Sequence, residues 1–301
     1  MQTLIPGFSV DMVGEGADAL CLARGGDGAP LVLLHGFPQS HAMFHKIAPE
    51  LAKRFSVFAF DLPGYGASAA PDAGPARYSK RRMASDIVAA MGALGVERFL
   101  LCGHDRGGRV GYRMALDHPD KVAALAVLDI VPTGALWAAM KAPMAMKYYH
   151  WAFLAQPDGL PERLVGADPE FFLRHKLGAY SKGGDLSIFD PAAFGEYIAA
   201  FSQPERLKAM CDDYRAGSTI DDEHDRATIA AGAKVTQPTL VLWGAGAPMA
   251  EAQAVTPLDV WRDWATNVRG QGLNCGHYLC EEAPEETLAA LMPFLEEHRD
   301  F

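Results

Sequence analysis

Short apolar runs recur along the first part of the chain, and each ends in a turn rich in Gly or Pro. The runs occupy residues 30–38, 55–68, 98–105 and 122–133, with helical spacing of apolar residues at 79–94 and 106–117. Continuous apolar strands that alternate with helices are typical of a parallel sheet covered by helices on both faces. Residues 8–13 and 17–23 precede the first run and predict a leading hairpin.

This alternation stops after residue 133, and residues 134–232 hold helical segments broken by Gly, Pro and Asp. The later segments are a strand at 238–246, an ambiguous region at 259–270 with a strand near 265–269, and a helix near 284–298. The pattern therefore predicts an α/β fold with a mostly parallel central sheet. We expect residues 1–133 and 233–301 to form its core, and residues 134–232 to form a helical cap domain over the carboxyl edge of the sheet.

Composition and charge narrow the class of protein. The chain has a net charge of −10 and no run rich in Lys or Arg, which argues against a nucleic-acid partner. Its five cysteines are odd in number and show no C-x-x-C spacing, so we expect buried free thiols in a reducing compartment. With neither a secretory signal pattern nor an apolar stretch long enough to span a membrane, the sequence predicts a cytoplasmic protein without a membrane partner.

The stretch GHDRG at 103–107 follows an apolar run and begins a helical pattern. It has the G-x-nucleophile-x-G form of a nucleophile elbow, in which the glycines let chain segments come close and the central residue takes a strained conformation. The central residue here is Asp105. A glycine-rich turn in which Asp105 only caps the helix is the structural alternative.

Other segments supply the partners that an elbow needs in the α/β-hydrolase fold. HGFP at 35–38 ends an earlier strand, where this fold takes one backbone donor of its oxyanion hole. The expected donors are the N–H groups of Phe37 and Arg106. His277 lies in a late loop before the last helix, which is the position of the general base.

The acid that orients the imidazole has two possible positions in this fold. Asp129 follows the apolar run ALAVL, whereas the segment LWGAGAPM after the next strand offers no Asp or Glu before Glu251. We therefore assign the acid to Asp129, which would fix the tautomer of His277 and stabilise its cationic form.

An aspartate nucleophile also narrows the reaction. A carboxylate displaces a leaving group from a saturated carbon and forms an ester, which water activated by His277 then cleaves. Arg106 and Arg109 share one face of the helix that follows the elbow, and guanidinium groups bind carboxylates in a bidentate manner. The sequence thus predicts a small anionic substrate with its leaving group on the α-carbon, although a solvated or ion-paired role remains the alternative for both arginines.

Three segments together resemble the fluoroacetate dehalogenases, a family of cap-bearing α/β-hydrolases: the elbow, LDIVPT at 128–133 and KYYHWAFLAQP at 147–157. The resemblance extends over nearly the whole chain. It implies that Asp105 is the nucleophile, His277 the base and Asp129 the third member, and that Arg106 and Arg109 hold the substrate carboxylate. It also implies a homodimer that needs no cofactor or metal.

The same resemblance implies that His150, Trp151 and Tyr214 bind the departing halide. Fluoride is small and strongly hydrated, so a dry pocket must replace its water with several hydrogen-bond donors. Imidazole, indole and phenol groups are all donors. Taken alone, each of these residues has packing in an aromatic-rich cap as its alternative role.

Three other functions compete with hydrolysis of a 2-haloacid. An epoxide hydrolase would need two cap tyrosines, which Tyr214 with Tyr148 or Tyr149 could supply, but it has no use for paired arginines. A haloalkane dehalogenase for neutral substrates commonly has Trp after the nucleophile, where this chain has Arg106. A non-catalytic receptor with a hydrolase fold would not require the set Asp105, His277 and Asp129.

Overall fold

A computed structural model describes residues 3–248 and 255–301, and the strands of these residues form one sheet. The strands are β1 (Ser9–Val13), β2 (Leu20–Gly25), β3 (Ala29–Leu34), β4 (Phe55–Phe60), β5 (Phe99–His104), β6 (Val122–Leu128), β7 (Thr239–Gly244) and β8 (Val268–Leu273). Their spatial order is β1-β2-β4-β3-β5-β6-β7-β8. The pairs β1–β2 and β2–β4 are antiparallel, and the other neighbours run in parallel, so the predicted mostly parallel sheet is confirmed.

Helices connect the strands and account for the segment between β6 and β7. They are α1 (Ala48–Leu51), α2 (Lys80–Ala93), α3 (Arg106–Asp117), α4 (Thr133–Ala139), α5 (Ala142–Lys147), α6 (Tyr149–Leu154), α7 (Leu160–Gly166), α8 (Pro169–Tyr180), α9 (Pro191–Phe201), α10 (Pro204–Gly217), α11 (Ile220–Ala230), α12 (Pro257–Trp264), α13 (Leu279–Glu282) and α14 (Pro284–Glu297). Short 3-10 helices lie at Gly16–Asp18, His41–Phe44, Pro75–Tyr78 and Lys182–Gly184. We call the helices α4–α11 the cap helices, and their grouping as a separate cap domain remains an interpretation.

Two strands lie later in the chain than their patterns predicted. β2 begins at Leu20, because residues 16–18 form a 3-10 turn where the sequence pattern had already begun the strand. The ambiguous region resolves into α12 followed by β8. Thr256 and Asp259 form a reciprocal capping box at the start of α12, with the Asp259 N–H donating to Thr256 Oγ1 at 3.2 Å.

The central strands are buried on both faces, which explains why their sequences show no polar alternation. Every residue of β5 and β6 is buried. Burying a Leu or Val side chain contributes about 2 kcal/mol to the free energy of folding, so these strands are a stable part of the fold. The carboxyl ends of β3, β5, β6 and β8 lie at one edge of the sheet, and the loops with the predicted catalytic residues follow them.

The cysteines and the lengths of the helices can also be compared with the predictions from sequence. All five cysteines are buried and unpaired, as the sequence predicts. Among the described residues, no helix combines the length and the apolar character that a membrane span requires.

Candidate active site

Asp105 occupies the sharp turn between β5 and α3. Its backbone has φ 44° and ψ −114°, a conformation that a residue with a side chain adopts only under strain. A Cβ at Gly103 would lie 2.4 Å from the carbonyl oxygen of Gly107, and a Cβ at Gly107 would lie 2.3 Å from that of Leu34. The two glycines are therefore required by the close approach of β3, β5 and α3, and the turn has the geometry of the predicted elbow.

The loop after β3 holds the carboxylate of Asp105. The backbone N–H of Phe37 donates to Asp105 Oδ2 at 3.0 Å, and a Cβ at Gly36 would lie only 2.4 Å from the Cβ of Asp105. Phe37 is one of the two predicted oxyanion donors. Its N–H thus contacts the carboxylate of Asp105, which would become the carbonyl of the predicted ester. The other predicted donor, the N–H of Arg106, belongs to the first residue of α3.

Asp129 and His277 come together at the ends of β6 and β8. Asp129 Oδ2 lies 2.5 Å from His277 Nδ1, and Asp129 Oδ1 accepts the backbone N–H of Gly244 at 3.0 Å. The backbone of His277 is fixed from two sides, since its N–H donates to the carbonyl of Tyr180 at 2.9 Å and its carbonyl accepts from His104 Nε2 at 2.8 Å. Because Nδ1 is bonded to Asp129, Nε2 is the ring nitrogen that can face the pocket, which both His277 and Asp105 line.

Burial and charge set the protonation of these three groups. Burial opposes ionisation of Asp105, but the positive charges of His277, Arg106 and Arg109 outweigh it and lower the pKa of this carboxyl. Burial also disfavours the cation of His277, yet the hydrogen bond and charge of Asp129 raise its pKa above the ordinary value. Burial raises the pKa of Asp129 despite its bond to His277. Asp105 is therefore held as a carboxylate, the form that a nucleophile needs.

A small pocket joins these residues to the cap helices. Its free volume is about 20 Å³, which is near the space needed for one water molecule. The lining residues are Phe37, Pro38, Asp105, Arg109, Asp129, Tyr148, His150, Trp151, Lys176, Tyr180, Tyr214, His277 and Tyr278. The pocket therefore favours a small substrate.

Arg109 lies in the pocket wall with its charge unpaired by any carboxylate among the described residues. Its Nη1 donates to the carbonyl of Val131 at 2.8 Å and to Thr133 Oγ1 at 3.3 Å, and its Cζ lies 4.5 Å from the ring of Trp151. Its Nε is buried and has no partner in the described part of the chain. A buried guanidinium in this state is a strong site for an anionic ligand.

The other predicted clamp residue, Arg106, has a different environment. Its Nε donates to Asp213 Oδ2 at 2.9 Å and its Nη2 to Asp213 Oδ1 at 2.5 Å. Arg106 is absent from the described residues that line the pocket, and only its Nη1 lacks a partner among them. Asp213 directly precedes Tyr214 in α10, and the Cζ of Arg106 lies 4.4 Å from the Tyr214 ring. The structure thus ties Arg106 to a cap helix, a contact that the sequence analysis did not anticipate.

The three residues assigned to halide binding meet on the cap side of the pocket. His150 and Trp151 come from α6 and Tyr214 from α10, and all three side chains are buried in the pocket wall. The ring centroids of His150 and Tyr214 are 5.6 Å apart. Burial, together with the charges of Lys176 and Arg106, lowers the pKa of His150 well below its ordinary value, so its imidazole is neutral and offers one N–H donor.

Lys176 and Tyr180 are pocket residues that the sequence analysis missed. Both lie in α8, where Leu173, Leu177 and Tyr180 mark the buried face. Lys176 falls within this apolar stripe. A lysine among the apolar positions of a helix was the feature of the sequence that could have indicated a buried functional residue. Tyr148 also lines the pocket, whereas Tyr149 does not appear among its described lining residues.

Comparison with known proteins places the chain in a family. The sequence profile of the alpha/beta hydrolase fold matches residues 29–284. The chain is 41% identical over 298 residues to a fluoroacetate dehalogenase from Burkholderia sp, which covers 98% of this chain and 96% of the relative. It is also 32% identical over 272 residues to a soluble epoxide hydrolase from Corynebacterium sp. (strain C12), covering 89% and 91% of the two chains.

A solved structure supports the same placement. A candidate alpha/beta hydrolase from Nostoc sp PCC 7120 superposes with a TM-score of 0.91 and 49% identity, over 96% of this chain and 98% of that one. The sequence profile and this likeness agree with the strand order and the elbow described above. The chain belongs to the α/β-hydrolases and, within them, to the family of the fluoroacetate dehalogenases.

Proposed function

We propose that this protein is a dehalogenase that hydrolyses small 2-haloacids, converting fluoroacetate or chloroacetate to glycolate and halide. The observation that carries the proposal is that one small pocket holds both the carboxylate of Asp105 and the guanidinium of Arg109, which forms no ion pair among the described residues. The 41% identity to a fluoroacetate dehalogenase over nearly the whole chain supports it. The scheme requires no cofactor or metal.

The first step is displacement at saturated carbon. Arg109 holds the substrate carboxylate, and an oxygen of Asp105 attacks the α-carbon as the carbon–halogen bond breaks. The electron pair of that bond leaves with the halide, and an ester joins Asp105 to the acid. His150, Trp151 and Tyr214 donate hydrogen bonds to the halide in place of its water.

The second step is hydrolysis of this ester. His277 takes a proton from water, which attacks the ester carbonyl carbon of Asp105, and Asp129 stabilises the resulting imidazolium. The Phe37 N–H donates to the oxygen that becomes negative in this step. Collapse releases glycolate and returns Asp105 as a carboxylate, so that one water is consumed and one halide and one proton are produced.

We assign the main role in carboxylate binding to Arg109. Arg106 then acts chiefly as a positioning residue. Its bidentate contact with Asp213 holds the turn of α10 in which Tyr214 is the next residue. Asp213 is held further by a hydrogen bond from Tyr65 at 2.7 Å and an ion pair with Lys80. This buried cluster links the elbow to the cap helices.

Epoxide hydrolysis is the second candidate. Tyr148 and Tyr214 both line the pocket, as that reaction requires, and the identity to a soluble epoxide hydrolase supports it. The buried, unpaired charge of Arg109 favours the acid, because a neutral epoxide would leave that charge without a partner.

Incubation of the purified protein with fluoroacetate, chloroacetate and styrene oxide separates the two candidates. We expect halide release from the acids and no diol. The Arg109→Met variant should lose kcat/KM for the acids by roughly 100-fold, because one partner of a buried charge pair is removed. Diol formation without halide release would replace the dehalogenase by the epoxide hydrolase.

We further propose that the enzyme is a cytoplasmic homodimer. The cap helices α7 and α8 expose Leu160, Leu164 and Phe171 to 47%, 57% and 67%, respectively. Leu164 and Phe171 line an apolar groove with Phe153 and Phe172. A contiguous apolar surface of this kind is typical of an interface, and a second copy of this chain is the partner that we propose.

A further inference from the structure

Lys176 is a buried lysine in the wall of the candidate catalytic pocket. Only 3% of the residue is exposed, and its Nζ has no hydrogen-bond partner among the residues that the structure describes. The ammonium lies 4.5 Å from the ring centroid of Tyr149 and 4.6 Å from that of Tyr180. A buried cation that only rings contact is costly to maintain, so its position needs an explanation beyond packing.

The charges in the pocket give the first part of that explanation. Asp129 and His277 form a pair, and Asp213 compensates Arg106 outside the pocket wall. Asp105 and Arg109 then remain as one negative and one positive charge. Their charges sum to zero in the unliganded pocket, although no ion pair joins the two side chains.

A 2-haloacid disturbs this balance. The substrate adds a second negative charge beside Asp105, and after displacement the halide and the substrate carboxylate again make two. Arg109 alone can compensate only one of them, and an uncompensated ion in a buried pocket is strongly unfavourable. Lys176 is the remaining cationic side chain among the described lining residues, besides His277 in its pair with Asp129.

The position of Lys176 shows which anion it meets. Lys176 and Tyr180 line both the catalytic pocket and a second cavity of about 460 Å³, here called the outer cavity, which lies between cap helices and the loop after β7. Lys176 also lies close to His150, because the Tyr180 ring that its ammonium contacts has its centroid 5.5 Å from that of the His150 ring. Lys176 thus stands between the His150 side of the pocket and the outer cavity, in the wall that the two cavities share.

We propose that Lys176 is the second cationic group of this pocket, that its ammonium binds the halide after displacement, and that the outer cavity is the exit for the ion. This proposal rests on the proposed dehalogenase function. Lys176 would thus touch a product of the reaction, and Arg109 would retain the carboxylate while the halide leaves. The ligand class is a small monovalent anion.

Titration of Lys176 gives the proposal a measurable signature. Burial lowers the pKa of its ammonium to about 7, so its charge changes near neutral pH. The titratable and charged groups around it are Lys147, Tyr149 and His150 from α5 and α6, His175 and Tyr180 from its own helix, and Asp105, Arg109 and His277 across the pocket. Halide binding stabilises the ammonium, so halide affinity should fall as the pH rises through this value.

The test measures bromide binding by quenching of tryptophan fluorescence, with Trp151 as the pocket reporter, at pH 6 and pH 9 and constant ionic strength. The wild type should bind bromide at least about tenfold more weakly at pH 9, because little ammonium remains. Lys176→Met should bind weakly at both values. Lys176→Arg, whose guanidinium stays charged, should retain binding at pH 9. Lys141→Met, on the exposed surface of the cap helices, is the matched control and should resemble the wild type.

The outcomes separate the two proposals. If Lys176→Met retains the affinity and pH dependence of the wild type, or if the wild type binds no bromide at either pH, Lys176 is not the halide group. Those results leave halide release from haloacetates untouched as evidence for the dehalogenase. Conversely, loss of bromide binding in Lys176→Met with no halide release from any acid by the wild type would support the anion site and refute the dehalogenase. Circular dichroism of both Lys176 variants checks that they fold.

Discussion

Among the residues that the structure describes, two buried histidines bond an Asp carboxylate through Nδ1 with similar geometry, at different places in the fold. Asp129 Oδ2 lies 2.5 Å from His277 Nδ1 at the candidate active site, and Asp61 Oδ1 lies 2.8 Å from His41 Nδ1 beside a separate cavity of about 340 Å³. In both pairs burial opposes the imidazolium, and the carboxylate nevertheless raises the pKa of the histidine. The local chemistry of the pairs is therefore nearly the same.

The difference lies in what surrounds each pair. The carboxylate of Asp61 also accepts the backbone N–H groups of His41 at 2.7 Å and Ala67 at 2.8 Å, so it fixes two loops. Cys21 joins this cluster, but burial and the charge of Asp61 raise the pKa of its thiol and keep it protonated. His277 instead shares its pocket with Asp105, the proposed nucleophile, which lies on the elbow and is held as a carboxylate. We therefore expect the group opposite the second imidazole nitrogen, and not the Asp–His pair itself, to decide whether a pair takes part in catalysis.

Replacing each histidine by Asn should give the largest contrast between the pairs. His277→Asn should lower turnover of chloroacetate by roughly 10⁴-fold, because the general base of the second step is lost. The first step should still occur, so intact mass spectrometry should show Asp105 carrying the ester, with one halide released per site. His41→Asn, as the matched variant, should retain turnover close to the wild type. A similar loss of turnover in both variants would contradict the distinction drawn here.

Replacing the two aspartates should change turnover less than replacing the histidines does. It should also separate an effect on turnover, at Asp129, from an effect on stability, at Asp61. Asp129→Asn should slow turnover by roughly 10³-fold, since the orienting acid usually contributes less than the base. Asp61→Asn should leave kcat unchanged but lower the free energy of unfolding by about 3 kcal/mol, because it removes one partner of a buried pair. Urea denaturation and steady-state kinetics on both variants measure this. An Asp61→Asn protein of normal stability and low activity would instead give the remote pair a role in catalysis.

The same contrast shows what the sequence could predict. The strands up to β7, the elbow at Asp105 and the position of Asp129 follow from local patterns, because both residues directly follow an apolar strand. His277 was predicted from its place in a late loop before the last helix, since the strand before it was ambiguous in sequence. The bond of Arg106 to Asp213 and the place of Lys176 in the pocket wall depend on how the cap helices dock. These contacts join residues from distant segments of the chain through tertiary packing, so no spacing in the sequence predicts them.

The pH dependence of stability should reveal the remote pair without any change in turnover. Asp61 raises the pKa of folded His41 above its unfolded value, so this histidine stabilises the protein fully below the unfolded pKa and loses that contribution as the pH rises through the folded pKa. The unfolding free energies of wild type and His41→Asn should therefore differ more at pH 6 than at pH 9. Urea denaturation at the two pH values tests this, with His175→Asn on the exposed surface as the control. A difference that is constant or larger at pH 9 would mean that His41 is neutral in the folded protein and that its bond to Asp61 is not an ion pair.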